Sequence, residues 1–254
     1  METRQQKMLN DLRALGVKST DSLLMHSSFK SLGGIEGGPT GALEVLEAAV
    51  CDGTLMLPTL SYAHVTAEHP IYDIKNTPAC IGILPETFRK MPGVYRSGSP
   101  THSVGVWGKD AEEIVSKHIL DDTPVGPNSP FSILRDRGGK LLMLGCGVHS
   151  CTTMHGVEEL IMPEFLFFKS VEYTVILEDG TETKVTTKRH GFNHFGYAQC
   201  YHRIMDLLDP SEYTHGYVLD AECWLIDSRA VWKRGEDMMR KNKYYFVDKI
   251  DPIE

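Results

Sequence analysis

The sequence predicts a mixed α/β fold: a central sheet flanked by helices, with an antiparallel hairpin excursion near residues 170–190. Three observations carry that expectation. Short uninterrupted apolar runs, "SLLM" and "KLLML" among them, read as strands buried on both faces. They alternate with stretches of helical periodicity, and a strand–helix–strand order favours a right-handed crossover between parallel strands. Finally, "SVEYTVILEDGTETKVTTKR" alternates apolar and polar residues around Asp179-Gly180, the signature of a hairpin.

Taken in order, Met8, Leu12 and Leu15 recur at helical spacing and Gly16 supplies a stop. "SLLMHSS" (22–28) is a buried strand with a polar end. "GGPTGALEVLEAAV" is a loop and then a helix with Thr40 as its expected N-cap, and "GTLMLPTLSY" is a second buried strand. "ACIGILPETFRKM" reads as a helix closed at Pro92-Gly93, "HSVGVWG" as a strand and "AEEIVSKHI" as a helix. "GGKLLMLG" is a further strand, entered through Gly138-Gly139, and "TTMHGVEEL" is the helix after it. The stretch "AECWLIDSRAVWKRGEDMMRKN" reads as a strand followed by a helix.

No repeat, low-complexity tract or linker divides the 254 residues, so one domain over 1–254, or two intimate subdomains, is expected. A hydrophobic fraction of 41% supports a sizeable core. The net charge of −8 argues against a nucleic-acid partner and suits a cationic small substrate. No apolar run reaches membrane-spanning length, and "METRQQKMLNDLRALGV" lacks the apolar core of a signal peptide, so no membrane partner is expected. Six scattered cysteines suit reduced thiols and a cytoplasmic location.

Three segments place chemistry at strand ends, where ligands of open α/β sheets sit. In "MHSSFKSLGGIEGG", Ser27, Ser28 and Lys30 near a helix start can approach phosphate oxygens, or the serines can simply cap local backbone. In "RSGSPTHSVGVWG", Ser97, His102 and Ser103 crowd before a strand, where His102 can hold a ligand or satisfy a backbone carbonyl. The third segment is "LGCGVHSCTTMHGVEEL". Its Cys146, His149, Cys151 and His155 are four zinc-ligand types, although their spacing lacks the paired knuckles of structural zinc sites. Its Thr152, His155 and Glu158 stand three apart, so on a helix the carboxylate can support the imidazole as a base. A capping threonine beside a solvated His–Glu pair has the same spacing.

These segments, in order, resemble the aminoglycoside 3-N-acetyltransferase family. The carriers are "HSSF" with "GGIEGGPTGALEVL", "YDIKNTPACIGILPETFRKMPGVYRS", "SPTHSV", "GGKLLMLG", "TTMHGVEE" and "AECWLIDSRAVWKRG", spanning about residues 5–240. The resemblance implies acetyl transfer from acetyl-CoA to an amine by direct attack, without an acyl-enzyme. For an aminoglycoside the acceptor is the 3-amino group of the deoxystreptamine ring. It further implies His155 as general base, Glu158 as its orienting carboxylate and Thr152 at the motif's leading position, with no metal. Ser27, Ser28, Phe29, Lys30, Ser97, His102 and Ser103 match regions expected to hold CoA. Glu68 and Asp73 are the acids expected to meet the acceptor, and a homodimer is left open.

Two departures from the family pattern stand out. Ser99 occupies the place of the first histidine of "H-P-T-H", and residues 63–73 carry only those two acids where aminoglycoside-modifying members are more acidic. Two other readings therefore stay open. One is an acyl-CoA-dependent N-acyltransferase of another amino sugar or amine metabolite; the other is a non-catalytic, zinc-stabilised module.

Overall fold

In a computed structural model, which describes residues 2–251, the chain builds one seven-stranded mixed sheet, a separate three-stranded sheet and a two-stranded ribbon. Helix α1 (Arg4–Leu15) starts where the Thr3 side chain accepts from the Gln6 amide. It ends at Gly16, whose left-handed φ of 106° lets its N–H close on Arg13 and Leu12. Its buried positions are Met8, Leu12 and Leu15.

Strands β1 (Ser22–Ser27) and β2 (Thr54–Pro58) pair in parallel, Leu23 opposite Leu55, and are joined by α2 (Gly38–Ala49). The helix begins ahead of the expected N-cap Thr40, because Gly37 takes a left-handed turn (φ 75°) with Pro39 in the first turn. Next come β3 (Ile71–Asp73), α3 (Ile83–Phe88), β4 (Tyr95–Arg96), β5 (Val104–Gly108), α4 (Ala111–Ser116), α5 (Pro130–Arg137) and β6 (Lys140–Leu144). They lead to α6 (Thr153–Ile161), the hairpin β7 (Phe167–Ile176) and β8 (Glu182–His190), and β9 (Tyr197–Gln199). The chain then forms β10 (Tyr213–Val218), β11 (Ala221–Asp227), α7 (Ser228–Met239) and β12 (Val247–Lys249).

The main sheet runs β10-β11-β6-β1-β2-β5-β4, with β6, β1 and β2 parallel and the flanking strands antiparallel. Alternation explains why its central strands read as unbroken apolar runs. Leu24, Met56, Leu141 and Met143 pack with Phe131, Met154, Val157 and Trp232, while Leu23, Met25, Leu55 and Leu142 pack with Met8, Leu12, Leu43 and Phe88. Both faces are thus covered by helices, as parallel strands require. The hairpin lies where the alternation placed it. It turns through Gly180 at φ 86° and forms the second sheet with β3. No helix of the described residues is long and apolar enough to cross a membrane.

Helices α6 and α7 meet closely through Gly156, where a Cβ would lie 2.1 Å from Trp232 Cη2 and 2.9 Å from Val125 Cγ1. Gly156→Ala should therefore lower stability by about 1–2 kcal/mol, because a contact this short puts overpacking at about 2–3 kcal/mol, against a helix-propensity gain of about 1. Urea unfolding checks this; an unchanged or raised midpoint would contradict the contact.

Candidate active site

The carboxyl ends of β1 and β2, the segment after β6, the start of α6 and the end of β8 converge on one cleft of about 690 Å³. Its lining includes His26, Ser27, Pro58, Thr101, His102, Thr152, His155, Arg189, His190 and Tyr201. This is the ligand position expected of strands that end together beside a helix start.

The residue Thr152 is the N-cap of α6, and its hydroxyl makes no capping bond, which leaves it free to face the cleft. One turn on, His155 Nδ1 lies 3.4 Å from Glu158 Oε2. Between them stands Tyr201, from a short 3-10 helix after β9. Its hydroxyl donates to Glu158 Oε2 at 2.7 Å and lies 2.9 Å from His155 Nδ1. A phenol that gives its one proton to the carboxylate can only accept from the imidazole. The His155 proton is thereby fixed on Nδ1, and the lone pair of Nε2 is left for chemistry.

Glu158 is 0% exposed, and burial raises its carboxyl above the usual range, against the pull of His155 and Tyr201. Burial, and then the neighbouring Glu158, push the Tyr201 phenol well above 10.

Two more imidazoles flank this group. The ring of His190 stacks on His155 at 4.2 Å between centroids, and His102 stands edge-on to both at 5.0 and 5.4 Å. Burial, followed by the His155 charge, holds both well below the ordinary histidine value, so they stay neutral. Burial likewise takes His26, on the same wall, down to about 3. Each flanking ring has one nitrogen held: Thr101 Oγ1 is 2.9 Å from His102 Nδ1, and Glu159 Oε1 is 3.3 Å from His190 Nε2.

One ring nitrogen of each of His102, His155 and His190 lies within 4.8 Å of the other two, which makes them the group of metal-ligand types that converges among the described residues. The set Cys146, His149, Cys151 and His155 does not converge in this way. Cys151 packs into the core, His149 is exposed, and burial pushes both thiols up to about 12.

Burial pushes the Glu159 carboxyl up to about 8. A group whose folded value exceeds its unfolded 4.5 binds more protons in the folded state between those limits, so its contribution to stability is lost as pH rises from 4.5 to 8. Glu159→Gln keeps an acceptor for the Val125 amide, 3.0 Å from Oε1, and removes that loss. Its stability relative to wild type should improve from pH 5 to pH 8 by up to about 4 kcal/mol. Thermal unfolding across that range checks this; a pH-independent difference would contradict it.

The structure brings Thr152, His155 and Glu158 together, with Ser27 and His102 on the same cleft. It does not bring the other expected ligand residues to the lining. Ser28 accepts from the Ser31 hydroxyl, Phe29 packs against the core under α1 and α2, and Lys30 points to solvent. The Ser97 hydroxyl is taken by the Val104 amide and His118, and that of Ser103 by Thr59 and Arg96. The carboxylate of Asp73 closes a turn onto Lys75 and Asn76, and Glu68 is exposed beside Thr66. Sequence reasoning missed Tyr201, His190, Arg189 and His26. The phrase "KRHGFNH", dense in cationic and histidine side chains at the hairpin's end, was the available signal for two of them.

The model of the aminoglycoside 3-N-acetyltransferase family matches residues 24–240. Aminoglycoside N(3)-acetyltransferase III of Pseudomonas aeruginosa is 30% identical over 240 residues, which cover 86% of this chain and 87% of that protein. The chain belongs to the aminoglycoside 3-N-acetyltransferase family. At 32% identity it spans 59% of the length of aminoglycoside N(3)-acetyltransferase VIII of Streptomyces fradiae. Among solved structures of the family, AAC-IIIb in a binary complex with CoASH superposes with a TM-score of 0.81 at 25% identity, covering 94% of this chain and 97% of that one. A histidine-to-alanine mutant of AAC(3)-IVa in complex with a gentamicin superposes with a TM-score of 0.80 at 29% identity, covering 97% and 92%.

Proposed function

We propose that the protein transfers the acetyl group of acetyl-CoA to a primary amine of an amino-sugar acceptor, by direct attack with His155 as general base. The observation that carries this reading is the His155–Tyr201–Glu158 relay, which presents a bare Nε2 to the cleft. An alkylammonium must shed a proton before its nitrogen can attack, and a neutral imidazole backed by a carboxylate is suited to take it. Glu158, reached through Tyr201, steadies the imidazolium that forms, the role a buried acid plays behind a catalytic histidine.

Acetyl-CoA is the second substrate, and its thioester supplies the acetyl group. The amine nitrogen bonds to the carbonyl carbon as the carbon–sulfur bond breaks. His155 gives the proton it took from the ammonium to the thiolate, which leaves as CoASH, and then takes the second proton that the acylated nitrogen sheds and releases it to solvent. The free Thr152 hydroxyl at the α6 N-terminus is placed to donate to the oxygen that gains charge, where helix-end amides add to the same effect. Ser27 and His102 are the expected cofactor residues that line the cleft, and the family's complex with CoASH supports CoA as the ligand. The names of the relatives support an aminoglycoside or related amino sugar as acceptor.

The test is release of free thiol from acetyl-CoA against a panel of amines. Amine-dependent release with an N-acetylated product is expected; a CoA-binding protein that acetylates none of them would refute the reading.

A further inference from the structure

The wall of the cleft has a charge character opposite to that of the chain. The chain carries −8 overall, yet among the described residues that line the cleft none is Asp or Glu. The two carboxyls nearest the imidazole cluster lie behind it. Glu158 is bonded to Tyr201, and Glu159 accepts from the Val125 amide and sits against His190. The acids expected from the sequence, Glu68 and Asp73, do not reach the lining.

What the wall does carry is a guanidinium. Arg189, next to the end of β8, is partly buried and lines the cleft. Its neighbours in sequence are paired, Lys188 with Asp122 and His190 with Glu159, whereas no carboxylate among the described residues is in direct contact with Arg189. Its neighbours are the Tyr173 hydroxyl and, farther off, the exposed Glu68.

We infer that the acceptor is an amine that also bears an anionic group, a phosphate or carboxylate, and that Arg189 receives that group; this rests on the acetyl-transfer reading above. A partly desolvated guanidinium with no carboxylate in direct contact is a site for a two-pronged bond to a planar carboxylate or a phosphate. A polycation would instead set several ammonium groups against a wall that offers no carboxylate and one fixed positive charge, losing hydration without gaining a partner. An amine with one anionic substituent meets the wall in the complementary sense. Its ammonium goes to His155 and its anion to Arg189.

Acetyl-CoA turnover is compared for amino sugars with the amine at different ring positions, each as the free sugar and as its phosphate, beside kanamycin. Glucosamine and glucosamine 6-phosphate form the first such pair. The expected result is that the best phosphorylated acceptor exceeds its free sugar, and kanamycin, at least tenfold in kcat/KM. Arg189→Ala should erase most of that margin through the acceptor's KM, with the KM for acetyl-CoA unchanged, and Arg189→Lys should restore part of it.

Higher kcat/KM for kanamycin, or equal values within every pair, would overturn the inference and leave acetyl transfer standing. A rise only in the KM for acetyl-CoA in Arg189→Ala would assign the guanidinium to the cofactor and also overturn it. If no amine turns over, the acetyl-transfer reading fails instead. The charge preference is then read from binding, by calorimetry with glucosamine 6-phosphate against kanamycin, and tighter kanamycin binding overturns it.

Discussion

Replacing His155 by alanine is expected to lower acetyl transfer by about 10²- to 10⁴-fold, the range that a positioned general base contributes. The side chain lies on the surface of the cleft and not in the core, so the fold should persist, as should CoA affinity. The variant removes the one atom, Nε2, that the Tyr201 bond leaves without a proton. Thiol release measured beside calorimetric CoA binding separates lost chemistry from lost structure. Near-wild-type turnover in a folded His155→Ala protein would remove the base from the mechanism.

The second large effect is expected from Tyr201→Phe. One hydroxyl links His155 to Glu158, so its deletion leaves the imidazole free to choose its tautomer and a buried carboxyl without its donor. Loss of a group that orients a functional histidine costs about 10- to 100-fold where such partners have been removed in metal sites, and a similar fall in kcat is expected here. The KM for acetyl-CoA should not move, because the hydroxyl bonds the relay and not the cofactor. A rise in that KM with kcat unchanged would instead place Tyr201 in cofactor binding.

Much of this architecture was legible because local periodicity and packing agree. Leu12 and Leu15 with Gly16, the doubly buried runs of β1, β2 and β6, and the Asp179-Gly180 hairpin each carry their signal within a dozen or so residues. The start of α2 was misplaced because Thr40 looks like a cap, whereas the backbone turn is made by Gly37. Within the site, Thr152, His155 and Glu158 could be read as one helical face. Tyr201 could not, since it lies 46 residues from His155 and is delivered by the meeting of a 3-10 helix with α6. Ser97 and Ser103 show the converse limit. Nothing in their spacing reveals that His118, from the turn after α4, and Arg96 would occupy their hydroxyls inside the protein.

In the proposed mechanism His155, Tyr201 and Glu158 act as one unit through the imidazole. A double-mutant cycle on single-turnover acetyl transfer tests it most directly. Tyr201→Phe, costly in the wild-type background, is expected to cost almost nothing once His155 is alanine, so that the double variant is as slow as His155→Ala alone. Losses that simply multiply would contradict it, because Tyr201 would then act on the reaction without passing through His155.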